Sequence, residues 1–228
     1  MTSDPNASPI NPLPPIVVAL SVFLVGVELV FQAGNVGFVG GPEATGWRLQ
    51  AVERWGFYEP LFNWMVENRQ IRWDYLMRFV TYPFVHQSFT HIAFVLVFLL
   101  ALGKLVGEIF NAWAVLIIFF GASIFGALVY GLVWDTRVML FGGYPAVYGL
   151  IGSYSFLLFV RLTGTGENRL MAFRLIAFLM AIQLVFSLFT GGSPDWVADV
   201  AGFAAGFGLS FLVAPGGWSH VLAVLRRR

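Results

Sequence analysis

No cysteine occurs in this chain, so disulfides are excluded and cysteine usage gives no reading of the redox compartment. Charge is scarce as well. Only 11% of the residues are Asp, Glu, Lys or Arg, where an ordinary soluble domain carries about a quarter. The formal net charge of +1 lacks the basic excess that nucleic acid demands, so no nucleic acid is expected as a partner. Residues 1–15 contain no Lys or Arg, one acid (Asp4) and five prolines. That is the reverse of the basic start of a secretory signal peptide.

What the chain does have is apolar surface. Hydrophobic residues make up 58% of it, with 24 Phe and 8 Trp, and the mean hydropathy is +0.79. A helix needs about 20 apolar residues to cross the hydrocarbon layer, and six segments approach that length: Ile16–Phe31, Phe89–Leu105, Trp113–Trp134, Tyr144–Val160, Met171–Phe189 and Val197–Val213. The first is short, but Pro14-Pro15 suits a first helical turn. The reading is an all-α polytopic membrane protein. It divides into a Pro-rich tail (1–14), a six-helix membrane domain (15–214) with a long outer loop (34–85), and a basic tail (215–228).

Loop charges orient the bundle. Arg226-Arg227-Arg228, Lys104 and the trio Arg161, Arg169 and Arg174 fall on one side, and the short loops opposite supply only Arg137. Basic short loops stay in the cytosol, so both termini are expected there, and a bacterial inner membrane is the expected location. The long loop is studded with Trp47, Trp55, Phe57, Tyr58, Phe62, Trp64, Trp73 and Tyr75. Aromatics of this kind settle at headgroup level. Short amphipathic helices lying partly in the outer leaflet are expected near Trp47–Arg54 and Pro60–Asn68.

Three separated segments carry the remaining signal. Phe141-Gly142-Gly143-Tyr144-Pro145-Ala146-Val147-Tyr148-Gly149 opens the fourth span. Arg78-Phe79-Val80-Thr81-Tyr82-Pro83-Phe84-Val85-His86 leads, through His91, into the second. Asp199-Val200-Ala201-Gly202-Phe203-Ala204-Ala205-Gly206 lies in the sixth. Together they resemble the rhomboid intramembrane serine proteases over about residues 74–210. The resemblance implies a six-helix bundle in which a Gly-x-Ser-Gly serine on the fourth helix meets a histidine on the sixth. Aligned on it, Tyr144 stands at the nucleophile's position, Pro145 at the glycine that follows it, and Asp199 at the catalytic histidine. Val95 replaces an asparagine that helps hold the oxyanion. Arg78, His86 and His91 match the family's arginine and its two histidines, while Met77 replaces the tryptophan before that arginine. Gly202 and Gly206 keep the small-residue spacing that lets helices approach closely, and Gly142 and Gly143 are grouped with them as packing positions. Glu108 follows Gly103 by five residues, where the family places it four on.

Serine proteolysis needs a hydroxyl nucleophile, a base within hydrogen-bond reach and donors aimed at the oxyanion. A phenol on a rigid ring, a carboxylate without imidazole's two-ended geometry, a proline lacking its N–H and a valine supply none of these. Losing nucleophile or base alone costs on the order of 10⁶ in rate, so peptide hydrolysis by this mechanism is not expected. Gly121-Ala122-Ser123-Ile124 imitates the motif, but on a helix running the opposite way, and it is assigned to packing.

His86, His91, Tyr144, Asp199 and Glu28 all fall near the outer side. A buried intramembrane acid needs a partner, so Asp199 is expected to accept from Tyr144 or a histidine. The cluster could instead titrate. No spacing is diagnostic of a metal site, and no cofactor is expected. Asp195, four residues before Asp199, sits at a helix start, where an acid complements the dipole. Three functions stay open, in this order. The first is a non-catalytic rhomboid-like protein binding the transmembrane segments of client proteins, with membrane lipid its other partner. The others are an intramembrane protease with unusual residues and a proton- or ion-handling membrane protein.

Overall fold

The computed structural model describes residues 12–133 and 135–214, apart from the side chains of Ser187 and Thr190. Trp134 and both terminal segments, including Asp4 and Arg226-Arg227-Arg228, lie outside the described residues. Among the described residues ten α-helices run in the order α1 (Pro15–Asn35), α2 (Trp47–Trp55), α3 (Glu59–Asn68), α4 (Trp73–Leu76), α5 (Arg78–Thr81), α6 (Phe89–Gly107), α7 (Ala112–Val133), α8 (Tyr144–Thr165), α9 (Arg174–Thr190) and α10 (Trp196–Val213). Short 3-10 turns occupy Gly41–Gly46, Tyr82–Phe84 and Arg169–Phe173. Six of the helical segments are long and apolar enough to cross a membrane, and the chain is an integral membrane protein of the helical-bundle class.

The first span is longer than its apolar run suggests. Its 21 residues rise about 31 Å. Pro15 occupies the first turn, where its missing N–H costs nothing. The Pro14 carbonyl accepts from the amides of Val17 and Val18 at 2.9 and 3.2 Å. The fifth span begins differently from its sequence reading. Residues 169–173 form a 3-10 turn before α9 proper.

α8 is the central helix, packed by α6, α7 and α10. Helices in a bilayer gain little by burying one apolar surface against another, so close backbone approach and hydrogen bonds hold them together. Here glycines provide the approach. A Cβ at Gly206 would overlap the main chain of Gly149, and one at Gly202 would overlap Pro145. The hydroxyls of Ser153 and Ser210, 2.9 Å apart, bridge the same two helices, and Ser153 also reaches the Gly206 carbonyl at 3.2 Å. Ser123 is a packing residue too. It is buried, and its hydroxyl donates to the Phe119 carbonyl at 2.8 Å.

The outer loop does more than float at the interface. Phe57 pairs with Leu140 through two main-chain hydrogen bonds of 2.8 and 2.9 Å. Phe57, Phe79, Tyr82, Ala127, Tyr130, Leu140 and Ala198 form a second buried cluster, with Phe62 packed against it. The loop's own residues are too few for a core, so they complete one with the C-terminal end of α7 and with Ala198. Edge-to-face pairs such as Phe57–Phe79, at 4.8 Å, add about 1 kcal/mol each beyond burial.

α9 is attached differently. None of its described side chains is buried. It meets the bundle chiefly along α8 and the turn before it.

Candidate functional site

The site is assembled at the N-terminal ends of α6, α8 and α10. Gly142 has φ +92, a left-handed conformation that only glycine adopts without strain. It also lies against His91, whose ring atoms would be 2.5 Å from any Cβ there. Gly142 and Gly143 therefore precede α8 and make loop contacts, not helix–helix contacts. The Gly142 amide donates to the Tyr82 carbonyl at 2.9 Å. Tyr82 is anchored in turn by its hydroxyl, which donates to the Ser123 carbonyl at 2.8 Å.

The next amide, that of Gly143, donates to His86 Nε2 at 3.2 Å. His86 is 1% exposed and receives this proton as a neutral imidazole. Burial pushes its pKa from the ordinary 6.5 down to about 3, with His91 and Arg48 adding to the shift and a hydrogen bond to the Phe84 backbone opposing it. The sign of the pH effect follows. Above pH 6.5 neither folded nor unfolded chain binds a proton at this group. As pH falls toward about 3 the unfolded chain takes up a proton that the fold refuses, and stability is lost. His86→Gln is expected to remove that loss, so the difference in unfolding temperature between wild type and variant should change across this window and be flat above it. Asp195 and Glu59, raised by burial, shift stability in the opposite direction in both proteins and cancel in the difference. An identical acid response of the two proteins would refute the assignment.

His91 lies beside His86, ring centroids 5.0 Å apart, and Tyr144 stacks on its other side at 4.9 Å with the planes only 19° apart. His91 Nε2 is buried without a hydrogen-bond partner. The Tyr144 hydroxyl makes no hydrogen bond among the described residues. Val95 is fully buried, with its Cγ1 packed under Gly143, 2.7 Å from where a Cβ would stand.

Asp199 is 3% exposed, and its partner differs from the expected one. Gln183 Nε2, on α9, donates to Asp199 Oδ2 at 3.1 Å. Tyr144 stacks on His91 instead and makes no hydrogen bond to Asp199. Asp195 lies just before α10 without a side-chain capping hydrogen bond. Among the described residues no serine or threonine hydroxyl is hydrogen-bonded to a histidine ring or to Asp199.

Glu28 belongs to a different assembly. Its carboxylate receives two hydrogen bonds from Arg48, at 2.8 and 2.9 Å, and one from Gln32 at 2.7 Å. Arg48 Nη1 also donates to the His86 carbonyl at 2.8 Å, and its guanidinium stands 5.2 Å from the Phe31 ring centroid. Arg78 donates to the Gly56 carbonyl at 2.9 Å, and Thr81 donates to that of Trp55 at the same distance. These two residues hold the outer loop in place without touching the ring cluster. The structure thus unites His86, His91 and Tyr144, places Glu28 one arginine away from them, and leaves Asp199 on the α9 side.

Two participants escaped the sequence reading. Gln183 is the one amide side chain within Met171–Phe189 and lies well inside that apolar run, a signal of the kind that Glu28 gave in the first span. Arg48 sat among loop charges with nothing to single it out.

The chemistry of this constellation is restrictive. It has a neutral buried imidazole used as an acceptor, a second imidazole covered by a phenol, and a carboxylate satisfied by an amide. A family model described as Rhomboid domain matches residues 74–216. No curated protein matches the chain.

Proposed function

Because this chain belongs to the rhomboid family, we propose that it uses the family's membrane fold to bind transmembrane segments of client membrane proteins without cleaving them. The observation that carries this reading is the stack of Tyr144 on His91, since it fills the nucleophile's position with a ring whose hydroxyl is hydrogen-bonded to no base among the described residues. Two further features support it. The Gly143 amide is committed to His86, so it is not free to meet a developing oxyanion. Val95 offers no side-chain donor. The anchored aromatic loop, held by Arg78 and Arg48, supplies a firm outer wall against which a client helix could rest. The basic loop residues Arg161, Arg169 and Arg174, against Arg137 opposite, favour cytosolic termini, and a bacterial inner membrane is the proposed location.

The test uses the purified chain in liposomes with a single-span reporter and a fluorophosphonate probe, beside the triple variant Tyr144→Ser/Val95→Asn/Asp199→His. The native chain is expected to show neither cleavage nor labelling and to co-purify with single-span clients from native membranes. Reporter cleavage by the native chain that disappears in Asp199→Asn would reverse the conclusion.

A further inference from the structure

A crevice of about 270 Å³ lies between α8 and the Arg169–Phe173 turn, lined by Tyr154, Leu158, Leu162, Met171 and Leu175, with Arg174 its one charged residue. Tyr154, Leu158 and Leu162 are spaced four apart, so they form one stripe along α8 that rises about 12 Å. The slot is therefore elongated and apolar, with a guanidinium on its wall.

Arg174 is exposed, yet it falls within Arg169–Phe186, a stretch apolar enough to cross a membrane. An arginine in such a stretch is costly unless its head reaches the interface and finds a counter-charge. Among the described residues no carboxylate lies within ion-pair distance of Arg161, Arg169 or Arg174; the ion pairs are Arg48–Glu28, Arg72–Asp74 and Lys104–Glu108. Arg169 instead faces the Phe159 ring at 5.9 Å. Arg174 thus lines a greasy slot with no acid beside it, and what the protein does not supply as counter-charge the bilayer does.

We propose that this crevice binds one anionic phospholipid, with its phosphate on Arg174 and the upper part of an acyl chain along the Tyr154–Leu158–Leu162 stripe. Basic pockets between transmembrane helices suit acidic headgroups. The volume is below that of pockets that enclose a whole ligand, so the site grips the glycerol-phosphate end and leaves the rest of the lipid in the bilayer. A soluble phosphate would use the arginines but gain nothing from the slot. The inference is independent of whether the chain cleaves or only holds clients.

Native mass spectrometry of the full chain in zwitterionic micelles tests it, with phosphatidylglycerol, phosphatidylcholine of the same chains, or glycerol 3-phosphate added. Retention of a single phosphatidylglycerol is expected, in preference to phosphatidylcholine. Arg174→Gln should weaken it about fivefold, the ratio characteristic of one basic side chain near an acidic headgroup. Leu158→Trp, which fills the slot and keeps every charge, should abolish the retention. An unchanged unfolding temperature without added lipid shows that both variants are folded, and the two act on different halves of the site. Equal retention of both lipids, or phosphatidylglycerol binding indifferent to both substitutions, would overturn the proposal. So would glycerol 3-phosphate binding as well as the lipid.

Discussion

Gly206→Val is expected to destabilise the folded bundle by about 3 kcal/mol or more. Even a single Cβ at this position would collide with the Gly149 main chain, and backbone cannot turn aside as a flexible side chain can. The two helices must separate, and with them go the Ser153–Ser210 bridge and the contact at Gly202. Overpacking of an ordinary core costs about 1–3 kcal/mol. A clash between main chains, with the loss of interhelical hydrogen bonds, belongs at or above the upper end of that range. Total stabilities are only about 5–15 kcal/mol, so little folded protein should remain at raised temperature. Gly26→Val is the matched control. A Cβ there meets nothing within 4 Å, and its effect should lie within about 0.5 kcal/mol. Unfolding of both variants in mixed micelles, followed by circular dichroism, makes the comparison. Equal stability of the two would contradict the packing account.

The second large effect is expected at the ion pair beneath the outer loop. Arg48→Ala should destabilise the protein by about 3 kcal/mol or more, because removing one partner of a buried pair leaves an uncompensated charge. Glu28 is 4% exposed, and without Arg48 it keeps only Gln32. The reverse change, Glu28→Gln, should cost less, since the Arg48 side chain is 22% exposed and can turn toward water. The order of the two losses is the prediction. The double variant Arg48→Ala/Glu28→Gln should recover part of what Arg48→Ala loses, because no charge is then left buried. Chemical unfolding of the four proteins gives the full cycle, and an additive result would mean that the pair has no coupling. Arg48 also ties α2 to the His86 carbonyl, so its loss should loosen the ring cluster as well.

Much of the architecture is readable from residue order because the bilayer simplifies the problem. Each span must be a continuous apolar helix, and six such runs are visible with their ends placed to within a few residues. The partners of the polar residues are less readable. Glu28 could be identified as an acid in need of a cation, but Arg48 reaches it across a loop whose path no local pattern encodes. The sequence likewise pointed to Tyr144 or a histidine for Asp199, and the amide of Gln183 took that place. The Tyr144 ring stacks on His91 instead, a matter of three-dimensional fit. The second apolar cluster was also hidden. Phe57 and Phe62 look like interfacial aromatics until the loop folds back on the end of α7. Gly142 was visible as a glycine beside the site, but its left-handed backbone and its contact with His91 were not.

α9 covers a deeply placed acid although none of its described side chains is fully buried, and an amide–carboxylate bond joins the two. Proteins open first where the fewest buried groups resist. The amides of α9 should therefore exchange with deuterium well before those of α8. The remaining five spans form a durable block whose seam of glycines stays shut while the fifth leans away, so the carboxylate can become wet without any denaturation of the whole.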